Sequence, residues 1–132
     1  MTQPPAPVVL VVDDQEPVRQ LAAAILGQYL GAQLDEAAEG AEALARLTQR
    51  RPDLILTDLM MPGVDGAELA RRLKGDPATR DIPIIAMSGG PNRAEALAAG
   101  CDDFIAKPFR PRELAELVRG WLGRGNCTTR TA

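Results

Sequence analysis

The chain has 132 residues, with 18 acidic and 15 basic side chains and no histidine, so its formal net charge at pH 7 is −3. This length suits one domain with a buried core, and the basic residues are scattered rather than clustered, which argues against direct binding to nucleic acid. The lack of histidine excludes His-based catalysis and most transition-metal sites, and leaves carboxylates, hydroxyls and amines for any chemistry.

Short apolar runs alternate along the chain with segments of helical periodicity, a pattern typical of a doubly wound parallel sheet. The first run is wholly apolar, as expected for a strand that is buried on both faces. The five predicted strands cover residues 8–12, 32–36, 53–57, 82–87 and 103–106. The five predicted helices follow them and begin near residues 16, 40, 66, 92 and 110. Pro17 lies in the first turn of the first helix, and Gly31 is its predicted C-terminal stop.

These units form one predicted domain over residues 7–122, between an N-terminal tail at residues 1–6 and a polar C-terminal tail at residues 123–132. No apolar stretch approaches the length of a membrane span, and the N-terminus lacks the features of a signal peptide, so we expect a cytoplasmic protein. Cys101 and Cys127 lack the number and spacing of a disulfide framework or zinc site, which favours reduced thiols.

Polar side chains stand where four of the predicted strands end. Asp13 and Asp14 follow the first strand, Asp58 the third, Ser88 the fourth and Lys107 the fifth. In an open parallel sheet with helical crossovers, the carboxyl ends of the strands lie at one edge, and this is where such sheets bind ligands. We therefore expect the acid, hydroxyl and ammonium groups to converge on one site.

Carboxylates that are held close together repel one another unless a cation lies between them. Magnesium prefers oxygen ligands and typically uses one or two carboxylates together with a phosphate, which suits a site without histidine. Lys107 and the Ser88 hydroxyl would then bind phosphate oxygens. A carboxylate that the metal does not fully occupy can act as a nucleophile and form an aspartyl phosphate, and Asp58 is the best candidate.

Four segments together resemble the receiver domains of two-component response regulators. They are Val11-Val12-Asp13-Asp14, the segment LTDLMMPGVDG at residues 56–66, Met87-Ser88, and Lys107-Pro108-Phe109. Each is a weak signal alone, but the four in this order are highly specific, and the resemblance covers residues 7–122. It implies a flavodoxin-like (βα)5 receiver fold, in which a histidine kinase or phosphotransfer protein phosphorylates Asp58 and the domain then signals to a downstream protein target.

The resemblance also implies a role for each residue of the site. The implied ligands of magnesium or manganese are Asp14, Asp58, the Met60 carbonyl and, largely through water, Asp13. Ser88 and Lys107 bind the phosphoryl group. On phosphorylation Ser88 moves toward the phosphate and Phe104, in the place of the family's switch aromatic, turns inward. This population shift remodels the face made by the fourth helix, the fifth strand and the fifth helix.

Further expectations concern the peptide chain and its assembly. The resemblance predicts a cis peptide bond between Lys107 and Pro108, against a base rate of about 5% for such bonds. Met1 and the short polar tail suggest a single-domain regulator, although a receiver cut from a longer protein would look the same. We expect a monomer or a weak dimer. Trp121 falls on the apolar stripe of the last helix, which indicates packing in the core or at an interface rather than contact with a ligand.

The chain departs from the family pattern beside the expected site. From Ser88 to Lys107 it is shorter than most receivers by about three residues, close to one helical turn, so the fourth helix or the loop before it is truncated. Gly89 and Gly90, followed by Pro91, stand where the family more often has Ala and a polar residue, which gives a looser loop.

Simpler interpretations exist for each residue alone, because Asp, Ser and Lys are common as helix caps, turn residues and solvated side chains. One alternative function is a phosphohydrolase of the haloacid-dehalogenase type. That family has a second Asp two residues after its nucleophile, whereas Met60 occupies this position after Asp58. The other alternative is a module that interacts with partners without phosphorylation, and the intact acid, hydroxyl and lysine positions argue against it.

Overall fold

The computed structural model describes residues 6–61, 63–90 and 92–131, and from residue 124 onward it describes the backbone alone. Strands and helices alternate along the described chain, as the hydrophobic pattern predicts. The strands are β1 (Val8–Val12), β2 (Gln33–Ala37), β3 (Leu54–Asp58), β4 (Ile84–Ser88) and β5 (Asp103–Ala106). The helices are α1 (Glu16–Leu30), α2 (Gly40–Leu47), α3 (Gly66–Lys74), α4 (Arg93–Ala99) and α5 (Pro111–Thr131).

All neighbouring strands of the sheet pair in parallel, and their order is β2-β1-β3-β4-β5. The chain therefore places β2 next to β1 on one flank and then returns past β1 to place β3 on its other flank. A crevice forms at the carboxyl edge where the strand order reverses, between β1 and β3. The predicted fold class, a doubly wound five-stranded parallel sheet, is confirmed, and the fold places the ends of β1 and β3 side by side.

The core has two layers, one on each face of the sheet. On one face α1 and α5 pack over a cluster that includes Val9, Val11, Leu54 and Leu114. On the other face α2, α3 and α4 cover a cluster that includes Leu10. Because both faces are covered, all residues of β3 and β4 are buried, and these strands read as nearly continuous apolar runs.

Local signals set the ends of several elements. Pro17 lies in the first turn of α1, and Gly31 ends this helix with a left-handed backbone (φ 63°), as predicted. β4 begins at Ile84, later than predicted, because Ile82 belongs to the preceding turn, where its N–H donates to the Thr79 carbonyl over 3.0 Å. Pro83 has no N–H to donate to a ladder, although its carbonyl accepts from Ile55 at 2.9 Å.

The last helix is longer than the sequence indicates. α5 continues to Thr131, so the backbone of residues 123–131, predicted as a polar tail, is helical. Trp121 packs against the cluster beneath α1 and α5, as predicted, and its indole N–H donates to Asp103 over 2.9 Å. Within the described ranges, no helix combines the length and the apolar character that a membrane span requires.

Candidate functional site

The polar residues at the strand ends meet at the carboxyl edge of the sheet, as the sequence predicts. Lys107 is at the centre of this cluster: its Nζ lies 3.0 Å from Asp13 Oδ2 and 3.4 Å from Asp58 Oδ1. The backbone N–H of Lys107 donates to the Ser88 carbonyl over 2.8 Å. One residue therefore connects the ends of β1, β3 and β4 to the end of β5.

The three acidic side chains form a compact group. Carboxylate oxygens of Asp13, Asp14 and Asp58 all lie within 4.8 Å of one another. Asp13 is fully buried and Asp58 is 6% exposed, whereas Asp14 is exposed. The cluster thus has a buried end at Asp13 and a solvent-exposed end at Asp14, from which a ligand can enter.

The environment of Asp58 makes ionisation of its carboxyl less favourable than in water. Burial raises the pKa of the Asp58 carboxyl above its usual value, and the negative charge of Asp13 raises it further. The ammonium group of Lys107 and the backbone N–H of Met60 act in the opposite direction, by charge and by hydrogen bonding, without reversing the shift. The three carboxylates of the cluster and the one ammonium group of Lys107 leave excess negative charge at the site.

This donor set fits a divalent cation with a preference for oxygen. Carboxylate oxygens are the ligands that Mg²⁺ prefers, and the three carboxylates of the cluster supply at least the one or two that such a site typically uses. A bound cation would also offset the repulsion that raises the pKa of Asp58. Met60, two residues after Asp58, is 61% exposed.

Asp13 is held by its side chain to the loop after β1 and by its backbone to β2. The Gln15 N–H donates to Asp13 Oδ1 over 2.9 Å, and Asp13 N–H donates to the Ala37 carbonyl over 3.1 Å. Asp13 thus closes a turn, but the N-cap position of α1 belongs to Gln15, which makes no side-chain cap bond. The helix-cap interpretation of the acidic pair is therefore wrong for Asp13.

Arg19 is a residue of the site that sequence reasoning missed. Its Nη1 donates to the Asp13 carbonyl over 2.8 Å, and its Nε forms an ion pair with Glu36 Oε1 at 3.0 Å. Arg19 thereby ties the β1 loop to β2 next to the acidic cluster. A signal existed, since a cation near the N-terminus of a helix is electrostatically unfavourable and calls for a local partner.

A close approach of α3 supports the backbone of Asp58. The Gly66 N–H donates to the Leu59 carbonyl over 3.0 Å. A Cβ atom on Gly66 would overlap the Asp58 carbonyl oxygen and would lie 2.8 Å from Leu59 Cα. Only glycine therefore lets the start of α3 pack directly on the end of β3, where the nucleophile candidate sits.

Ser88 ends β4 and is 2% exposed. Its Oγ accepts two hydrogen bonds from the following loop, one from the Gly90 N–H at 3.2 Å and one from Asn92 Nδ2 at 2.8 Å. The contact with Asn92 was not predicted, because the sequence pattern marks Asn92 only as the start of α4.

A groove of about 820 Å³ lies beside the site, between β5, α4 and α5. Phe104, packed only partly into the core, lines it together with Arg93, Arg110 and Leu117. This is the face on which the sequence places the switch aromatic. The peptide bond between Lys107 and Pro108 is cis, as predicted.

Comparison with known proteins gives a consistent result. The family model for the response regulator receiver domain matches residues 9–119. The phosphate regulon transcriptional regulatory protein PhoB of Pseudomonas aeruginosa is 44% identical over 119 residues, which make up 88% of this chain and 52% of PhoB. The chain thus spans about half the length of the curated relatives that it matches.

Solved structures agree with this match. The receiver domain of NtrX from Brucella abortus superposes with a TM-score of 0.80 at 32% identity, covering 87% of this chain and 98% of that one. The receiver domain of a sensor histidine kinase from Pseudomonas aeruginosa superposes with a TM-score of 0.82 at 30% identity, covering 90% and 99%. The latter structure contains a magnesium ion in its active site cleft.

Proposed function

Because this chain belongs to the response regulator receiver domain family of two-component systems, we propose that Asp58 is its phosphoacceptor. Receiver domains are phosphoacceptors and not turnover enzymes. An Asp58 carboxylate oxygen attacks the phosphorus of a phosphohistidine or of acetyl phosphate and forms a new P–O bond. The bond from phosphorus to the donor's imidazole nitrogen or acetate oxygen breaks, and the donor leaves with that electron pair. Hydrolysis by water later restores the carboxylate and releases phosphate.

One observation carries this proposal. Lys107 Nζ lies between Asp13 and Asp58, at 3.0 Å and 3.4 Å, at the edge where the strands end. An ammonium group in this position can stabilise the negative charge that develops on a transferred phosphoryl group, because it already contacts the attacking carboxylate. Asp58 is buried, and its carboxylate lies within 4.8 Å of that of the exposed Asp14, so the exposed side of the acidic cluster offers a donor its approach.

The proposed metal ligands are Asp13, Asp14, Asp58 and the Met60 carbonyl. Magnesium, or manganese in its place, would neutralise phosphoryl oxygens and offset the repulsion within the acidic cluster. The raised pKa of Asp58 supports a role for the cation, since a site with excess negative charge favours its binding. The magnesium ion in the related kinase receiver domain supports the same assignment.

We further propose that the Ser88 hydroxyl and Lys107 bind the phosphoryl group once it is on Asp58. Ser88 then shifts toward the phosphate and Phe104 turns inward, which changes the groove between β5, α4 and α5. The phosphoryl donor is a sensor histidine kinase or a histidine phosphotransfer protein, and the changed face binds a downstream protein. The receiver domain is proposed to cover residues 7–122, with terminal segments at 1–6 and 123–132.

Two other functions compete with this proposal. A phosphohydrolase would need an acid-base carboxylate beside the nucleophile, and the side chain two residues after Asp58 is the exposed thioether of Met60. A module that acts without phosphorylation would not need Lys107 to contact both Asp13 and Asp58. The geometry therefore favours phosphorylation of Asp58.

The test is the intact mass of the protein after incubation with acetyl phosphate, with and without magnesium. Wild type should gain one phosphoryl group only when magnesium is present, and Asp58→Asn should gain none. Asp81→Asn is the matched control, because Asp81 is an exposed aspartate before β4, at the opposite edge of the sheet. Phosphorylation of Asp58→Asn, or none in wild type, would refute the proposal.

A further inference from the structure

The peptide group between Asp13 and Asp14 is held by a side chain from α1. Arg19 Nη1 donates to the Asp13 carbonyl over 2.8 Å, and this carbonyl belongs to the peptide unit that joins the two acidic residues. Because a peptide unit is planar, a bond that restrains its carbonyl also restrains the backbone as it enters Asp14. Asp14 is exposed, so little packing restrains its side chain, and the backbone before it sets where its carboxylate can reach.

Arg19 is itself anchored to the neighbouring strand. Its Nε forms an ion pair with Glu36 Oε1 at 3.0 Å, and Glu36 lies in β2, opposite Val11 of β1. Bonds from two nitrogens of the planar guanidinium group restrict its orientation. The Asp13 N–H donates to the carbonyl of Ala37, in the same strand, over 3.1 Å. β2 thus holds both main-chain polar groups of Asp13, one directly and the other through Arg19.

We propose that Arg19 is a positioning residue for magnesium, which holds the peptide group between Asp13 and Asp14 so that the two carboxylates present their oxygens to the cation. This inference rests on the proposed function, which makes Asp13 and Asp14 metal ligands. Groups that orient metal ligands raise the affinity of a site, because the ligands then need less rearrangement when the ion binds. Arg19 contacts the backbone carbonyl of Asp13, so this bond takes no carboxylate oxygen away from the metal.

The charge of Arg19 alone predicts the opposite effect on magnesium. A guanidinium group near a cation site repels the cation, so removal of a residue that acted only through its charge would strengthen binding. Removal would also leave Glu36 without this cation, which adds to the negative charge near the site. Removal of a positioning residue weakens binding, because the backbone between Asp13 and Asp14 can then turn. The direction of the change therefore separates the two roles.

The measurement is the dissociation constant of magnesium, obtained for the full chain from the rise in Tm over a magnesium series without any phosphoryl donor. Arg19→Ala should raise this constant by about tenfold, the low end of the range for groups that orient metal ligands. Arg19→Lys should raise it less, because an ammonium group can still donate to the Asp13 carbonyl but lacks the planar fork that also holds Glu36. An unchanged or lower dissociation constant in Arg19→Ala would overturn the inference.

Arg50→Ala is the matched control. Arg50 pairs with Asp35 Oδ1 at 3.0 Å, so this variant also removes an ion pair between an arginine and β2. Neighbouring residues of a strand point to opposite faces, so Asp35 lies on the other face of the sheet from Glu36. Arg50→Ala should bind magnesium as wild type does. An equal rise of the dissociation constant in both arginine variants would mean a general loosening of β2, and the role of Arg19 would be refuted.

The rate of phosphorylation separates a role toward the metal from a general loss of structure. Intact mass gives this rate with acetyl phosphate in excess, at each magnesium concentration. Arg19→Ala should need about tenfold more magnesium for the half-maximal rate, while the rate at saturating magnesium should return to that of wild type. A lower saturating rate with an unchanged magnesium requirement would contradict the inference. If Arg19→Ala does not fold, Arg19→Gln takes its place with the same expected rise, because glutamine is too short to reach both partners.

Failure of the proposed function has a different signature. If wild type binds magnesium but gains no phosphoryl group, the proposed function is refuted, and the dissociation constants still decide the role of Arg19. If wild type binds no magnesium, both are refuted. If wild type is phosphorylated on Asp58 in magnesium and Arg19→Ala binds the cation as tightly as wild type does, only the role of Arg19 is refuted.

Discussion

Among single residues, Lys107 joins the two buried carboxylates of the site. Its ammonium group contacts a fully buried carboxylate, Asp13, and a nearly buried one, Asp58. Burial of a carboxylate without a partner is unfavourable, so the lysine contributes to folding as well as to the proposed chemistry. Lys107 is therefore expected both to stabilise the fold and to take part in the proposed phosphorylation of Asp58.

Replacing Lys107 by alanine should destabilise the protein. It should also abolish the gain of a phosphoryl group from acetyl phosphate, which intact mass detects. The change leaves Asp13 buried without its cation, and we expect a loss of about 2–4 kcal/mol in the free energy of unfolding without metal. Magnesium should recover part of this loss, because a cation can replace the missing positive charge. Denaturant unfolding with and without magnesium measures both effects.

An exposed arginine provides the control for the loss of stability in Lys107→Ala. Arg71→Ala removes a cation from the exposed face of α3, where its ion pair with Glu68 spans 3.9 Å, and should alter stability by less than about 0.5 kcal/mol. Equal effects of Lys107→Ala and Arg71→Ala would show that the buried ion pair does not matter.

At the scale of elements, the contact between α3 and the end of β3 sets the position of Asp58. Gly66 allows this contact because it has no Cβ, and the Asp58 carbonyl occupies the space where one would be. The N-cap of α3 is Asp65, which accepts from the Glu68 N–H over 2.9 Å. The helix start is thus fixed by a cap on one side and by the strand on the other.

Gly66→Ala should force these two elements apart. The new Cβ would overlap a backbone oxygen, and no side-chain rotation can relieve that overlap, so we expect a loss of about 2–4 kcal/mol. Phosphorylation by acetyl phosphate should fall as well, since Asp58 moves with its backbone. Thermal unfolding and intact mass report the two effects.

Gly120→Ala is the matched control for that change. Gly120 lies in α5, and a Cβ added there would meet no atom of the described residues within 4 Å. Alanine is also the better helix former by about 1 kcal/mol. We expect this variant to be as stable as wild type or slightly more stable. If both glycine variants behaved alike, the tight contact of α3 with β3 would not be important.

For the whole molecule, the raised pKa of Asp58 leads us to expect that the acidic site lowers stability at neutral pH. The pKa of Asp58 is raised in the folded state, so its contribution to stability is complete below the unfolded pKa of about 3.9. That contribution is lost as the pH rises through the folded pKa, because ionised Asp58 must then coexist with Asp13. A cation bound at this site would offset that loss by neutralising the carboxylates.

Asp58→Asn should therefore be more stable than wild type at pH 7 without metal, by a few degrees in Tm. The advantage should shrink as the pH falls, because the raised pKa lets Asp58 of wild type take up a proton earlier than a free carboxyl, and it should also shrink in magnesium, which neutralises the carboxylates. Thermal unfolding from pH 4 to pH 8, with and without magnesium, measures this. A variant that is less stable than wild type at pH 7 would contradict the raised pKa.

The amino-acid sequence determined the alternation of strands and helices, because periodicity and breakers act over a few residues. β5 and the start of α1 lie where the pattern predicts them. The sequence also indicated which residues reach the site, since a polar residue that ends a buried parallel strand must lie at the carboxyl edge. Asp13, Asp58, Ser88 and Lys107 follow that rule.

Only the tertiary structure decided which atoms these residues contact. Lys107 and Asp13 are 94 positions apart, and the support of the site by Arg19, Gly66 and Asn92 depends on how elements pack. Such contacts leave little trace in local sequence, because a hydrogen bond or a close approach is set by distances of a few tenths of an ångström. The sequence pattern was enough to predict that the polar side chains lie at one edge of the sheet. The packing of strands and helices decided which of their atoms are in contact.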